Sequence, residues 1–188
     1  MKTAIILHGM PSKEEYYDPE SPAQSNKHWL PWIQRQLIVR DVLAQTPEIP
    51  EPYAPDYAKW CSIFERFTID EETMLIGHSC GAGFLIRWLS EHTVRVGRVA
   101  LVAPWLNPDH EYDTDFFDFT IDPDLVARTD GVTIFVSSDD DHTVHESVTK
   151  IRSALPGTAV KEFTDRGHFT FGTMKTERFP ELLDSLID

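Results

Sequence analysis

The sequence predicts an α/β fold, a parallel β-sheet covered by helices on both faces, and three observations carry that expectation. Apolar runs of four to six residues recur along the chain, as buried parallel strands require. Longer segments with apolar residues three and four apart alternate with them. The 188 residues, 41% hydrophobic and 26% charged, suit one domain over 1–188, and no repeat or Gly/Ser linker marks a boundary.

The elements follow in order. Thr3 to Leu7, built on Ala4-Ile5-Ile6-Leu7, is read as the first strand; it is too short for a signal-peptide core or a membrane span. A long connection, Met10 to His28, is punctuated by Pro11, Pro19 and Pro22. Trp29 to Val39 has helical spacing, and Trp29 and Trp32 are expected in the core. Strand Asp41 to Gln45 leads to helix Tyr57 to Phe67, and strand Thr73 to Ile76 to helix Cys80 to Ser90. Strand Arg98 to Val102 precedes a second long connection, Pro104 to Asp124, with seven acids and four aromatics between Asp109 and Asp124. Strand Val132 to Ser137, helix Glu146 to Leu155, strand Ala159 to Thr164 and a closing helix from Thr173 to Ile187 complete the chain. Both long connections leave the carboxyl ends of strands, where an open α/β sheet places its ligand crevice.

Composition narrows the function. Seventeen Lys plus Arg against 31 Asp plus Glu give a net charge of −14, which repels nucleic-acid phosphates and anionic bilayers. Cys61 and Cys80 are read as free thiols, and a cytoplasmic location is expected.

Gly77-His78-Ser79-Cys80-Gly81 matches G-x-S-x-G, with a strand before it and a helix after it. In that setting the serine sits on a strained turn that lifts its hydroxyl above the sheet, and small flanking residues let strand and helix cross closely. A serine hydroxyl needs a base and an orienting acid, which follow in the order Ser, Asp or Glu, His. Of eight histidines, His168 in Asp165-Arg166-Gly167-His168 follows the last strand and ends at the same sheet edge as Ser79. The acid is expected after the preceding strand, among Asp139, Asp140 and Asp141; Asp141 is preferred, with Asp140 second and a helix-capping role open to the neighbours. The amides of Cys80 and Met10 are the expected oxyanion donors, since Pro11 has no N–H. His8, Gly9 and His78 are expected to border the substrate.

Two other readings compete for the same residues. Asp139, Asp140, Asp141, His142 and His145 could suggest a metal-dependent hydrolase, but no second ligand cluster accompanies them, so no metal is expected. Cys80, one residue past the turn, would face inward and is a weaker nucleophile.

With these residues placed, the sequence resembles the small α/β-hydrolases of the retinoblastoma-binding protein 9 type, a serine hydrolase family. The stretch ending His8-Gly9, His28-Trp29-Leu30-Pro31-Trp32, Gly77 to Ala82, the pair Asp140 and Asp141, and Phe163 to Phe169 carry the resemblance. It implies a minimal three-layer α/β-hydrolase fold, with a six-stranded parallel sheet in the order 2-1-3-4-5-6 and no large cap domain. It also implies that the second aspartate of the pair, carried over onto Asp141, is the triad acid. A proline commonly follows that acid in the family, where this chain has His142.

The expectation is a cofactor-free serine hydrolase acting on a carboxylic ester, or a related thioester or peptide bond, of a small-molecule acyl substrate. The acidic, aromatic loop favours a neutral or cationic substrate. The alternative is a protein that binds a partner through residues 109–124 on a hydrolase scaffold.

Overall fold

The computed structural model describes residues 1–187. In chain order its strands and α-helices are β1 (Thr3–Leu7), α1 (Lys13–Tyr17), α2 (Leu30–Ile38), β2 (Leu43–Gln45), α3 (Tyr57–Phe64), β3 (Thr73–His78), α4 (Cys80–Glu91), β4 (Val99–Val102), β5 (Val132–Ser137), α5 (His142–Ala154), β6 (Ala159–Phe163), α6 (Phe171–Met174) and α7 (Pro180–Ile187). The six strands form one sheet in the order β2-β1-β3-β4-β5-β6, every pair parallel. That is the order the resemblance implies.

The central strands are buried on both faces because their residues are apolar on both sides: every residue of β3 and β4 is buried, whereas β6 at the edge is half-buried to exposed. Helix α4 packs behind the sheet through Phe84, whose ring meets Phe64 at 5.3 Å and Trp60 at 5.4 Å. Phe116, from the acidic connection, reaches Trp60 at 5.3 Å. The aromatics of that connection therefore anchor it to the body, while Asp113, Asp115 and Asp118 stay exposed. Trp29 is fully buried, and Trp32 is half-buried against the same core.

Several elements differ from the sequence reading; α3 stops three residues early, at Phe64, and β3 runs on to His78. Strand β2 begins at Leu43 because Asp41, at φ 60°, sits in the left-handed turn that ends α2. The connection from Met10 contains the short helix α1, started by Ser12, whose Oγ accepts the Glu15 N–H at 3.1 Å. Helix α5 begins at His142, four residues before the expected start, because Asp141 caps it. The expected closing helix is two, since Lys175 at φ 56° ends α6 and Pro180 starts α7 afresh.

Parallel register brings the functional loops to one edge. Leu7 pairs with Gly77, His78 with Val102 and Ser137 with Phe163, so the segments after β1, β3, β5 and β6 emerge side by side at the carboxyl edge. Among the described residues no helix is long and apolar enough to cross a membrane.

Candidate active site

Ser79 occupies the turn between β3 and α4 at φ 54° and ψ −118°, a backbone conformation that a serine holds only when its surroundings impose it. The flanking glycines allow the turn. A Cβ on Gly77 would lie 2.6 Å from backbone atoms of Ala82, and one on Gly81 would lie 2.4 Å from the carbonyl oxygen of His8. Any side chain there would push α4 away from the sheet and displace Ser79.

The Ser79 hydroxyl donates to His168 Nε2 at 2.9 Å. His168 Nδ1–H in turn donates to the Asp140 carboxylate, 3.0 Å from Oδ1 and 3.1 Å from Oδ2. A carboxylate only accepts, so the proton belongs on Nδ1 and Nε2 is left as the acceptor. The Asp140 side chain is 2% exposed, which keeps water from competing for that hydrogen bond.

Asp141, the expected acid, lies elsewhere. Its Oδ1 accepts the Thr143 N–H at 2.9 Å and the Thr143 hydroxyl at 2.7 Å, and these contacts hold its carboxyl below the ordinary range. It is the N-cap of α5, and it is exposed. The carboxylate that meets His168 is therefore Asp140, one residue earlier than the sequence reading prefers. Asp141, at φ −63°, has a backbone angle that a proline would also adopt. Unlike proline it keeps an N–H, which donates to Asp140 Oδ1 at 2.7 Å.

Asp139 ties the acid loop to the histidine loop. Its Oδ1 accepts the Ser137 hydroxyl at 2.5 Å and the Gly167 N–H at 2.9 Å, which lower its carboxyl below the ordinary range. The Oγ of Ser137 also accepts the Arg166 N–H at 3.0 Å. The segment preceding His168 is thereby held against the turn that carries Asp140.

Three more histidines surround the nucleophile. His8 donates from Nδ1 to the Gly9 carbonyl at 2.7 Å and accepts the Ile49 N–H on Nε2 at 3.0 Å, so both nitrogens are spent on backbone. His78 donates from Nε2 to the His168 carbonyl at 2.8 Å. Both line the cavity beside Ser79, as does Gly9, but these bonds make His8 and His78 supports for the loops. His28, at φ 59°, accepts the Phe171 N–H on Nδ1 at 3.1 Å and packs edge-on against His78 at 5.7 Å.

Burial pushes the pKa of all three down: His78 well below its ordinary value, helped by the charge of His168, His28 to about 4, helped by Lys27, and His8 in the same direction. Each is neutral at pH 7. The unfolded chain takes up these protons near pH 6.5 and the folded chain only at lower pH, so stability is full above about 6.5 and falls as pH drops toward 4. Thermal melts from pH 7.5 to 4.5 are expected to show a falling Tm before the carboxylates titrate. A flat Tm over that window would contradict these shifts.

Cys80 is fully buried and burial pushes its thiol pKa up, which rules against it as the nucleophile. Its backbone N–H opens α4 and donates to no protein acceptor among the described residues, and the Met10 N–H is likewise free. The run of aspartates and histidines that competes as a metal-site reading is dispersed: Asp139 turns to Gly167, Asp140 to His168, Asp141 to Thr143, and His142 to Asp109 at 3.1 Å. A different trio, Asp109, His142 and Glu146, brings one ligand atom each within 4.8 Å of the others, all exposed at the surface.

Two cavities meet at Ser79. One, of about 340 Å³, lies between the connection after β1 and the histidine loop and includes Glu15, Gln24 and His28. The other, of about 420 Å³, lies beneath the acidic connection, with Trp105, Tyr112, Asp109 and Glu111 in its walls.

A profile described as serine hydrolase matches residues 21–186. The chain belongs to this serine hydrolase family. It is 26% identical to YdeN of Bacillus subtilis (strain 168) over 174 residues, covering 89% of this chain and 86% of that protein. It is also 26% identical to serine hydrolase RBBP9 of Rattus norvegicus over 147 residues, covering 75% of this chain and 77% of the relative. The crystal structure of the Bacillus subtilis ydeN product superposes with a TM-score of 0.83 at 22% identity, over 99% of this chain and 97% of that one, and so shares its fold.

Proposed function

We propose that this serine hydrolase cleaves a carboxylic ester, or a related acyl bond, through Ser79, His168 and Asp140. The observation that carries the reading is the continuous chain Ser79 Oγ to His168 Nε2, 2.9 Å, and His168 Nδ1 to Asp140 Oδ1, 3.0 Å. Ser79 Oγ attacks the acyl carbon as its proton passes to His168 Nε2, and Asp140 stabilises the imidazolium. The free N–H groups of Met10 and Cys80, the latter at the amino end of α4, suit the oxyanion that forms. Collapse breaks the bond to the leaving group, which takes the proton from His168; water then repeats the sequence on the acyl-enzyme and restores Ser79.

Turnover of p-nitrophenyl butyrate by the purified protein, side by side with Ser79→Ala and in the presence of a strong chelator, tests this. Wild-type hydrolysis that resists the chelator and is abolished by the substitution is expected. Turnover that survives Ser79→Ala, or that the chelator removes, would overturn it.

The Asp139 tie makes a further prediction. Asp139→Ala frees the His168 segment, and misplacement of a base by about 1 Å costs up to about 100-fold, so kcat is expected to fall about 10- to 100-fold with KM little changed. Asp139→Asn keeps an accepting oxygen and should retain most of the rate. Equal losses in the two variants, measured by steady-state kinetics, would show that the tie does not act through hydrogen bonding.

A further inference from the structure

The cavity on the His28 side of Ser79 is polar where a pocket for a plain hydrocarbon chain would be apolar. Its volume of about 340 Å³ is near the lower end for ligand sites and fits a short group. Three side chains in its wall carry hydrogen-bonding capacity that the fold leaves unspent. His28 accepts the Phe171 N–H on Nδ1, so in the neutral ring the proton is on Nε2, which donates to no protein acceptor among the described residues. Gln24, 8% exposed, lines the same wall as Glu15. Burial raises the pKa of Glu15, but the hydrogen bond and charge of Lys27 outweigh it and keep the group ionised, with one oxygen engaged by Lys27.

These groups are also held in place. The N–H groups of Gln24 and Ser25 donate to the Glu48 carboxylate at 3.1 and 2.8 Å, which fixes the turn that carries Gln24. His28 stays at φ 59°, a left-handed conformation unusual for histidine, and such strain is retained where the side chain must point a particular way. One donor, one acceptor and one amide offering both, on a fixed frame, match a neutral hydroxyl-bearing group, and with Glu15 paired to Lys27 the wall offers no unpaired charge to an ionic one.

We propose that Glu15, Gln24 and His28 form a specificity subsite for a short, hydroxyl-bearing acyl group, so that the substrate is a polar acyl ester rather than a fatty one. This rests on the serine hydrolase reading above.

The test compares kcat/KM for the p-nitrophenyl esters of 3-hydroxybutyrate, butyrate and succinate, on protein whose Ser79 is first shown to react with a fluorophosphonate. The hydroxy ester is expected to exceed butyrate by about tenfold or more, with the anionic succinate ester slowest. Gln24→Met, which keeps volume, and His28→Asn, which tolerates the positive φ, should each bring the hydroxy-to-butyrate ratio toward one. Circular dichroism confirms that each variant is folded, and the wild-type ratio stands independently of both.

Reactive Ser79 with butyrate equal to or better than the hydroxy ester, or with neither ester turned over, would overturn the subsite while leaving the nucleophile intact. A preference that persists in both variants would likewise overturn it. Failure of Ser79 to react at all would overturn the serine hydrolase reading, and the subsite with it.

Discussion

Asp140→Asn is expected to lower kcat about 10⁴-fold, while Asp141→Asn, one residue away, leaves it close to wild type. The asparagine is nearly isosteric and would stay buried beside His168, but its amide presents no negative charge to an imidazolium. It can also turn its NH₂ toward Nδ1, which favours the wrong tautomer and removes the acceptor at Nε2. Asp141 serves a different purpose: it caps α5 through Thr143, and asparagine caps nearly as well as aspartate. The expected cost of Asp141→Asn is therefore a few tenths of a kcal/mol of stability. Steady-state kinetics on the two variants separates the assignments, and a larger loss at Asp141 than at Asp140 would reverse them.

Ser79→Ala and His168→Ala are each expected to reduce kcat by about 10⁴- to 10⁶-fold, and the double variant should be no slower than the worse single one. Non-additivity follows from the hydrogen bond between them: without Ser79 there is no proton for His168 to accept, and without His168 the hydroxyl is a weak nucleophile. Free energies that simply add would mean the two act in separate steps. Residual activity in either variant would be supplied by the free Met10 and Cys80 amides and by binding.

Much of this site was legible in the sequence because its parts are local. The Gly77 to Gly81 turn carries its own structural context, a strand before and a helix after, so the position of Ser79 followed from adjacent residues. His168 followed from topology: in a parallel sheet every strand ends at the same edge, so the segment after the last strand had to meet the segment after β3. The resemblance supplied the strand order, which alternation alone does not specify.

The aspartate that meets His168 lies one position before the preferred one, because three consecutive aspartates leave the sequence without a discriminating signal. Their directions are set by a turn in which Asp139 reaches the Gly167 N–H, Asp140 points inward to His168 and Asp141 folds onto Thr143. Capping was visible as a possibility, but which aspartate caps depends on where α5 starts, and element ends are the weakest part of a sequence reading. Helix α1 did leave a signal: Ser12 followed three residues later by Glu15 is the pattern that opens a helix. The bond that commits His8 Nε2 to the Ile49 backbone joins residues 41 positions apart, which no local pattern reveals.

The most direct test of the central claim is reaction of the purified, folded protein with a fluorophosphonate probe, wild type beside Ser79→Ala, with the modified peptide mapped by mass spectrometry. An activated serine is the one property that the Ser79–His168–Asp140 chain must confer whatever the natural acyl group. The account predicts a single adduct on the peptide containing Ser79, absent from the variant. A folded wild type that remains unmodified, or an adduct on another residue that survives Ser79→Ala, would contradict it.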